Sequence, residues 1–161
     1  MKFLVDGMLG NITRWLRLLG YDVEYEKDQN DNELLMRSKQ EKRILLTSDT
    51  ELFRLAKRRG LTTALVKKTS PEEALSKLSE KFNIHLVFDE MRSRCPTCGF
   101  PLKIINKNSI REKIPKNTYQ RYNEFWMCSS LLCSKIYWRG NHWKKISQTL
   151  KKARKKINVK K

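Results

Sequence analysis

The chain has 161 residues, enough for one ordinary domain or two small ones. Its 35 Lys and Arg against 17 Asp and Glu give a formal net charge of +18. No apolar run approaches the roughly 18 residues of a membrane-spanning helix, which excludes that class, and so large a positive charge points to a polyanionic partner.

In chain order, Lys2–Val5 is a short apolar run that reads as a strand ending at Asp6-Gly7. Leu9, Ile12, Leu16 and Leu19 share one face of a helix over 8–19, closed by Gly20. Tyr21–Tyr25 alternates as a half-buried strand, and Asn30 or Asp31 caps a helix running to about Lys42. Ile44–Thr47 is a second buried strand. Ser48, with Glu51 three residues on, forms a capping box for a helix that ends at Gly60. Thr62–Val66 is a third strand, Ser70-Pro71 starts a further helix, and Ile84–Phe88 is a possible last strand. Strands alternating with helices imply a parallel sheet, with ligands beyond the carboxyl ends of its strands.

The four cysteines of the chain fall in two pairs, Cys95-Pro-Thr-Cys98 and Cys128-Ser-Ser-Leu-Leu-Cys133, separated by 29 residues. Each pair can grip one metal from a tight turn, and four thiolates close a tetrahedron, so the expectation is a structural zinc ribbon over 93–139. A closed site leaves no position for water or substrate and does no chemistry. Two disulfides would need an oxidising compartment, and a redox pair would explain only one of the two motifs. With no apolar signal segment at the start of the chain, the expected location is the cytoplasm.

Charge divides the chain. Residues 1–90 hold 16 basic against 15 acidic side chains, whereas 91–161 hold 19 against 2. RNA or DNA is the favoured partner of such a half, with anionic membrane as the competitor. Expected phosphate contacts are Arg111, Lys113, Lys116, Arg121, Arg139, Lys144, Lys145, Lys151, Lys152 and Arg154. The last segment, Lys144–Lys161, has Ile146, Leu150, Ala153 and Ile157 at helical spacing, and reads as a basic amphipathic helix that docks on the ribbon or folds on a partner.

Asp6 and Asp49 each follow a strand, and Asp31 and Glu33 open the helix between those strands. Converging carboxylates repel, and magnesium or manganese is their natural neutraliser. Asp31 and Asp49 read equally well as helix caps. His142 and His85 read as packed histidines. The aromatics Tyr119, Tyr122, Phe125, Trp126, Tyr137, Trp138 and Trp143 read mainly as ribbon packing, with one or two left to stack on bases. Arg14 and Arg17 read as a solvated helix face or as guides for a phosphate backbone.

Met1-Lys-Phe-Leu-Val-Asp-Gly-Met-Leu-Gly10 and Arg14-Trp-Leu-Arg-Leu-Leu-Gly-Tyr-Asp-Val23 open a resemblance. It continues through Asp31-Asn-Glu-Leu-Leu35, Ile44-Leu-Leu-Thr-Ser-Asp49, Ser93-Arg-Cys-Pro-Thr-Cys98, Tyr122-Asn-Glu-Phe-Trp126 and Tyr137-Trp-Arg-Gly-Asn-His-Trp143. Over nearly all of 1–143 the chain resembles the Mut-seven C-terminal RNase domain family. The resemblance implies a PIN-like α/β domain over 1–90, a zinc ribbon over 91–143 and a metal-dependent ribonuclease. It matches Asp6, Asp31 and Asp49 to the acidic motifs that hold Mg2+ or Mn2+, with Glu33 and Glu51 as weaker matches. The second cysteine pair is wider than the family's usual spacing, and Thr50-Glu51 stands where many PIN nucleases have another Asp. The basic tail, 144–161, lies beyond the resemblance. The resulting expectation is an RNA-binding, Mg- or Mn-dependent ribonuclease. The alternative is a non-catalytic factor docking on ribosomal or other structured RNA.

Overall fold

The computed structural model describes residues 1–158. Four parallel strands form the first sheet in the order β2-β1-β3-β4: β1 Lys2–Asp6, β2 Asp22–Glu26, β3 Ile44–Thr47 and β4 Thr63–Leu65. β1 is central because it is apolar on both faces: Phe3, Leu4 and Val5 are all fully buried. Successive side chains of a strand point to opposite faces. Phe3, Val5 and Leu46 accordingly enter one core, and Leu4 and Leu45 the other.

The helices cover both faces. α1 (Gly10–Leu18) and α4 (Pro71–Phe82) bury Ile12, Leu16, Leu75 and Leu78 in the first core. α2 (Asp31–Gln40) and α3 (Thr50–Arg58) bury Leu34, Leu35, Leu52 and Ala56 in the second. Asn30 caps α2 in a reciprocal box with Glu33, and Ser70 caps α4 with Pro71 at its first position. The cap of α3 is Asp49, not Ser48. The Asp49 carboxylate accepts the N–H groups of Glu51 and Leu52, while the Ser48 hydroxyl is buried with no partner among the described residues.

Residues 84–88 do not add a strand. Ile84 and Leu86 are buried and His85 and Val87 exposed, the alternation of an extended segment. Its backbone bonds to side chains rather than to a ladder: the His85 N–H donates to the Tyr21 hydroxyl, and Arg154 donates to the Leu86 carbonyl. His85 is therefore a surface residue on this segment.

A second, antiparallel sheet has the order β5-β6-β7, with β5 Leu102–Ile105, β6 Phe125–Cys128 and β7 Ile136–Tyr137. A short helix, α5 (Lys116–Arg121), lies in the connection between β5 and β6. The chain then forms α6 (His142–Asn158), of which the expected basic segment is the larger part; residues 159–161 lie outside the described residues. α6 packs along α4, and Leu150 and Ala153 are buried in the first core, flanked by Ile146 and Ile157. The basic helix thus belongs to the α/β core rather than waiting for a partner.

Leu150→Ala should lower the unfolding free energy by about 2–5 kcal/mol in a denaturant titration, as for other buried leucines. Its exposed neighbour in Lys151→Ala should change it by no more than about 0.5 kcal/mol. Equal small effects would detach α6 from the core.

Candidate metal centre and acidic edge

The four cysteine sulfurs lie within 4.8 Å of one another, with Cys98 and Cys128 3.3 Å apart and Cys95 and Cys133 3.7 Å apart. A tetrahedral thiolate zinc, with Zn–S of about 2.3 Å, has corners about 3.8 Å apart, so the donor set fits zinc. The first knuckle is a tight turn in which the Gly99 N–H returns to the Cys95 carbonyl at 2.8 Å with Gly99 at φ +82°. In the second, the longer Cys128–Cys133 spacing is closed by Cys133 and Ser134 N–H groups on the Ser130 carbonyl. Leu131 and Leu132 at its tip are 95% and 102% exposed.

The thiols are not equivalent. Burial opposes ionisation of Cys95, but hydrogen bonds from the Tyr137 hydroxyl and from nearby backbone N–H groups overcome it and draw the thiol down to about 6. Burial pushes Cys98 and Cys128 up. A full set of thiolates therefore depends on a cation at their centre.

Arg17, on α1, joins this centre to the first sheet. It is only 6% exposed, and its guanidinium donates twice to the Val23 carbonyl, at 2.9 and 3.1 Å, and once to the Thr97 carbonyl of the first knuckle, at 2.9 Å. Its own carbonyl accepts the Arg94 N–H, and Ser93 donates to the carbonyl of Leu18 next to it. Burial pushes the guanidinium below its ordinary value, with Glu24, Cys98 and Cys95 pulling the other way. Arg17 is thus no phosphate guide, whereas Arg14 on the same helix is exposed.

Asp6 and Asp49 come to the same edge of the sheet, at the carboxyl ends of the adjacent strands β1 and β3. Thr47 ties them together: its hydroxyl donates to Asp6 Oδ2 at 2.8 Å and accepts the Asp49 N–H at 2.9 Å. Thr47 is fully buried, Asp6 half-buried and Asp49 exposed. Asp31 is exposed in the first turn of α2, and Glu33 is held in the box with Asn30. Glu51 pairs with Arg54 at the surface. Among the described residues the four cysteines alone form a group of three or more potential ligands within 4.8 Å, so Asp6, Asp31 and Asp49 do not make a closed three-carboxylate cage. Thr47 escaped the sequence reading because a threonine ending an apolar strand carries no signal of its own; its place between two strand-end acids was the available clue.

The family model of the Mut7-C RNAse domain matches residues 1–150. The chain belongs to this family. No curated protein and no solved structure is significantly similar to it. Membership in the Mut7-C RNAse family indicates a ribonuclease-type role with RNA as the partner. The match embraces both the acidic edge and the cysteine centre. No helix among the described residues is long and apolar enough to cross a membrane.

On this Mut7-C scaffold the basic residues fall into two groups. Arg111, Lys113, Lys116, Arg121, Lys144, Lys145, Lys151 and Lys152 are exposed, free to meet phosphates. Arg139 is paired with Glu90 and lies over the Trp126 and Trp143 rings, and Arg154 bonds to Leu86. These two are already part of the structure. His142 is exposed at the start of α6.

The purified protein should carry one zinc per chain by elemental analysis, and Cys128→Ser should lose it. Structural zinc contributes about 10–16 kcal/mol in small domains, so a metal-free wild type with an intact ribbon would contradict the assignment.

Proposed function

We propose that this protein is a metal-dependent ribonuclease: residues 1–90 cleave RNA at the edge formed by Asp6, Asp49 and Asp31, and the ribbon (91–143) with the basic segment (144–161) holds it. The observation that carries the reading is the Thr47 bridge, which holds the Asp6 carboxylate and the Asp49 backbone N–H on one hydroxyl at the strand ends where parallel sheets bind ligands. Each acid keeps an oxygen outside these bonds: Asp6 uses Oδ2 and Asp49 uses Oδ1.

Such a pair fits a magnesium or manganese ion that keeps several waters and takes one or two protein carboxylates. The chemistry the ion supplies is Lewis acidity toward a phosphodiester and a lowered pKa for water. The protein orients the two acids, through Thr47 for Asp6 and through the N-terminus of α3 for Asp49. The balanced charge of the first half leaves substrate capture to the basic half, whose exposed lysines and arginines neutralise the backbone.

A second reading, a non-catalytic factor docking on ribosomal or other structured RNA, draws on the same residues. Asp49 is a complete helix cap without any metal, and Asp6, Asp31 and Asp49 form no group of three within 4.8 Å among the described residues. Asn caps a helix as well as Asp, so Asp49→Asn preserves the cap and removes only the charge. With manganese added, this variant should lose cleavage by on the order of 100-fold or more, the scale of losing one charge-stabilising group. RNA affinity measured without divalent ions should stay within about twofold. Tight binding with no cleavage by the wild type would establish the docking factor instead. Either protein should bind about 10³–10⁵ times more weakly at 200 than at 50 mM salt if six to ten phosphates are neutralised. A flat salt response would contradict phosphate-held binding.

A further inference from the structure

α6 holds six lysines and Arg154 within His142–Asn158 and no Asp or Glu, whereas α2, α3 and α4 each mix both signs of charge. At 3.6 residues per turn the lysines fall into two rows. Lys144, Lys151 and Lys155 make one row, and Lys145, Lys152 and Lys156 make the next, about 100° further round the helix. Each row is about 17 Å long, and the two stand about 10 Å apart, the width of a helix with its side chains. Ile146, Leu150, Ala153 and Ile157 occupy the opposite side and pack against α4 and the first core. All six lysines are exposed, and none is engaged in an ion pair or hydrogen bond with the described residues.

This arrangement weakens the helix that carries it. Lys151 with Lys155 and Lys152 with Lys156 are like charges four residues apart, which repel. Cations at the carboxyl end suit the helix dipole, which accounts for Lys155 and Lys156. Lys144 and Lys145 stand at the amino end, where the dipole opposes them. Nothing among the described residues offsets the two rows, so the offsetting charge belongs to a partner.

The geometry selects the partner. An unpaired strand carries one line of phosphates, whereas a duplex carries two, flanking a groove. The groove must be shallow, because the inner face of α6 is buried against α4 and only the outer half of the helix stands clear. The major groove of B-DNA is about 8.5 Å deep and takes a whole helix. The minor groove of A-form RNA is wide and shallow, and proteins meet it by shape and by phosphate contacts. An anionic membrane would also meet both rows, but helices that lie on lipid bury an apolar face in it, and the apolar face of α6 is already against α4. The far end of the rows, Lys152, Lys155 and Lys156, borders a recess with Ser70 and Glu72 at the start of α4. α4 follows β4 after a short turn at the carboxyl ends of the strands, the end of the sheet that carries Asp6 and Asp49.

We infer that α6 is a docking helix for double-stranded RNA, laid across the minor groove with one lysine row on the phosphates of each strand. The inference rests on the RNA-binding part of the proposed function and names the form of RNA: a paired stem rather than a free strand.

The test measures affinity without divalent ions for three probes: a short RNA duplex, a single-stranded RNA with the same number of phosphates, and a DNA duplex of the same sequence. The wild type should favour the RNA duplex over each of the others by about 10-fold or more, the scale of engaging a second row of phosphates. Two triple variants each empty one row, Lys144→Gln/Lys151→Gln/Lys155→Gln and Lys145→Gln/Lys152→Gln/Lys156→Gln. Both keep good helix formers at exposed positions. On the RNA duplex each should lower the log–log salt slope by about 3, one for each lost phosphate contact. On the single strand the intact row serves in place of the emptied one, and the slope should fall by less than about 1. A wild type that binds the single strand or the DNA duplex as tightly as the RNA duplex overturns the inference. So does a row whose loss leaves the duplex slope unchanged. Binding of single strands alone would overturn duplex docking and leave the ribonuclease reading standing, since cleavage at the acidic edge is read separately with manganese; binding of no RNA would overturn both.

Discussion

Arg17 is a cation placed where water does not reach, and most of the molecule's layout is arranged around it. Burying a guanidinium costs several kcal/mol unless its donors are met. Here they meet the Val23 carbonyl of β2 and the Thr97 carbonyl of the first cysteine knuckle. Two glycines make room for this approach: a Cβ on Gly99 would stand 3.0 Å from the Arg17 Nε, and one on Gly20 2.7 Å from the Arg92 carbonyl. Both also hold a positive φ. The orientation of the ribbon on the sheet follows from this contact.

The two candidate sites obey different physical rules. The cysteine centre is short-range: its four sulfurs lie on tight turns, and a metal held there would substitute for a hydrophobic core too small to fold alone. The acidic edge is open, since parallel strands end side by side and α3 starts immediately beyond one of them. Its precision comes from a neutral hydroxyl, Thr47, that holds one acid by its side chain and the next by its backbone. An arrangement of this kind keeps the carboxylates in place without adding a positive charge that would compete with a cation.

Legibility in the sequence tracked how local each interaction was. The cysteine spacing, the caps at Asn30 and Ser70 and the two-sided apolar runs at β1 and β3 each depend on neighbours within a few residues, and each could be read. The α3 cap was ambiguous because Ser48 and Asp49 are both good caps; the choice is made by Thr47, whose hydroxyl takes the Asp49 N–H. Ile84–Phe88 has the alternation of a strand, but pairing requires a free edge with matching register, and that information is not local. Arg14 and Arg17 look alike in the sequence. Only the Thr97 carbonyl, 80 residues away, separates the buried one from the solvated one. The apolar stripe of α6 was visible, but its partner, α4, was not.

That last pairing sets the order in which the molecule can be completed. Leu75 and Leu78 share a core with Leu150 and Ala153, so the face of α4 that these residues cover stays wet until α6, far downstream of it, has been made. A ribosome adds about 5–20 residues per second. The sheet can therefore emerge and pair seconds before α6 arrives to seal it, and the ribbon has to form in between. A chain truncated ahead of α6 would present a stripe of leucines to its neighbours, so aggregation during synthesis, rather than loss of a charged tail, is the natural fate of a shortened product.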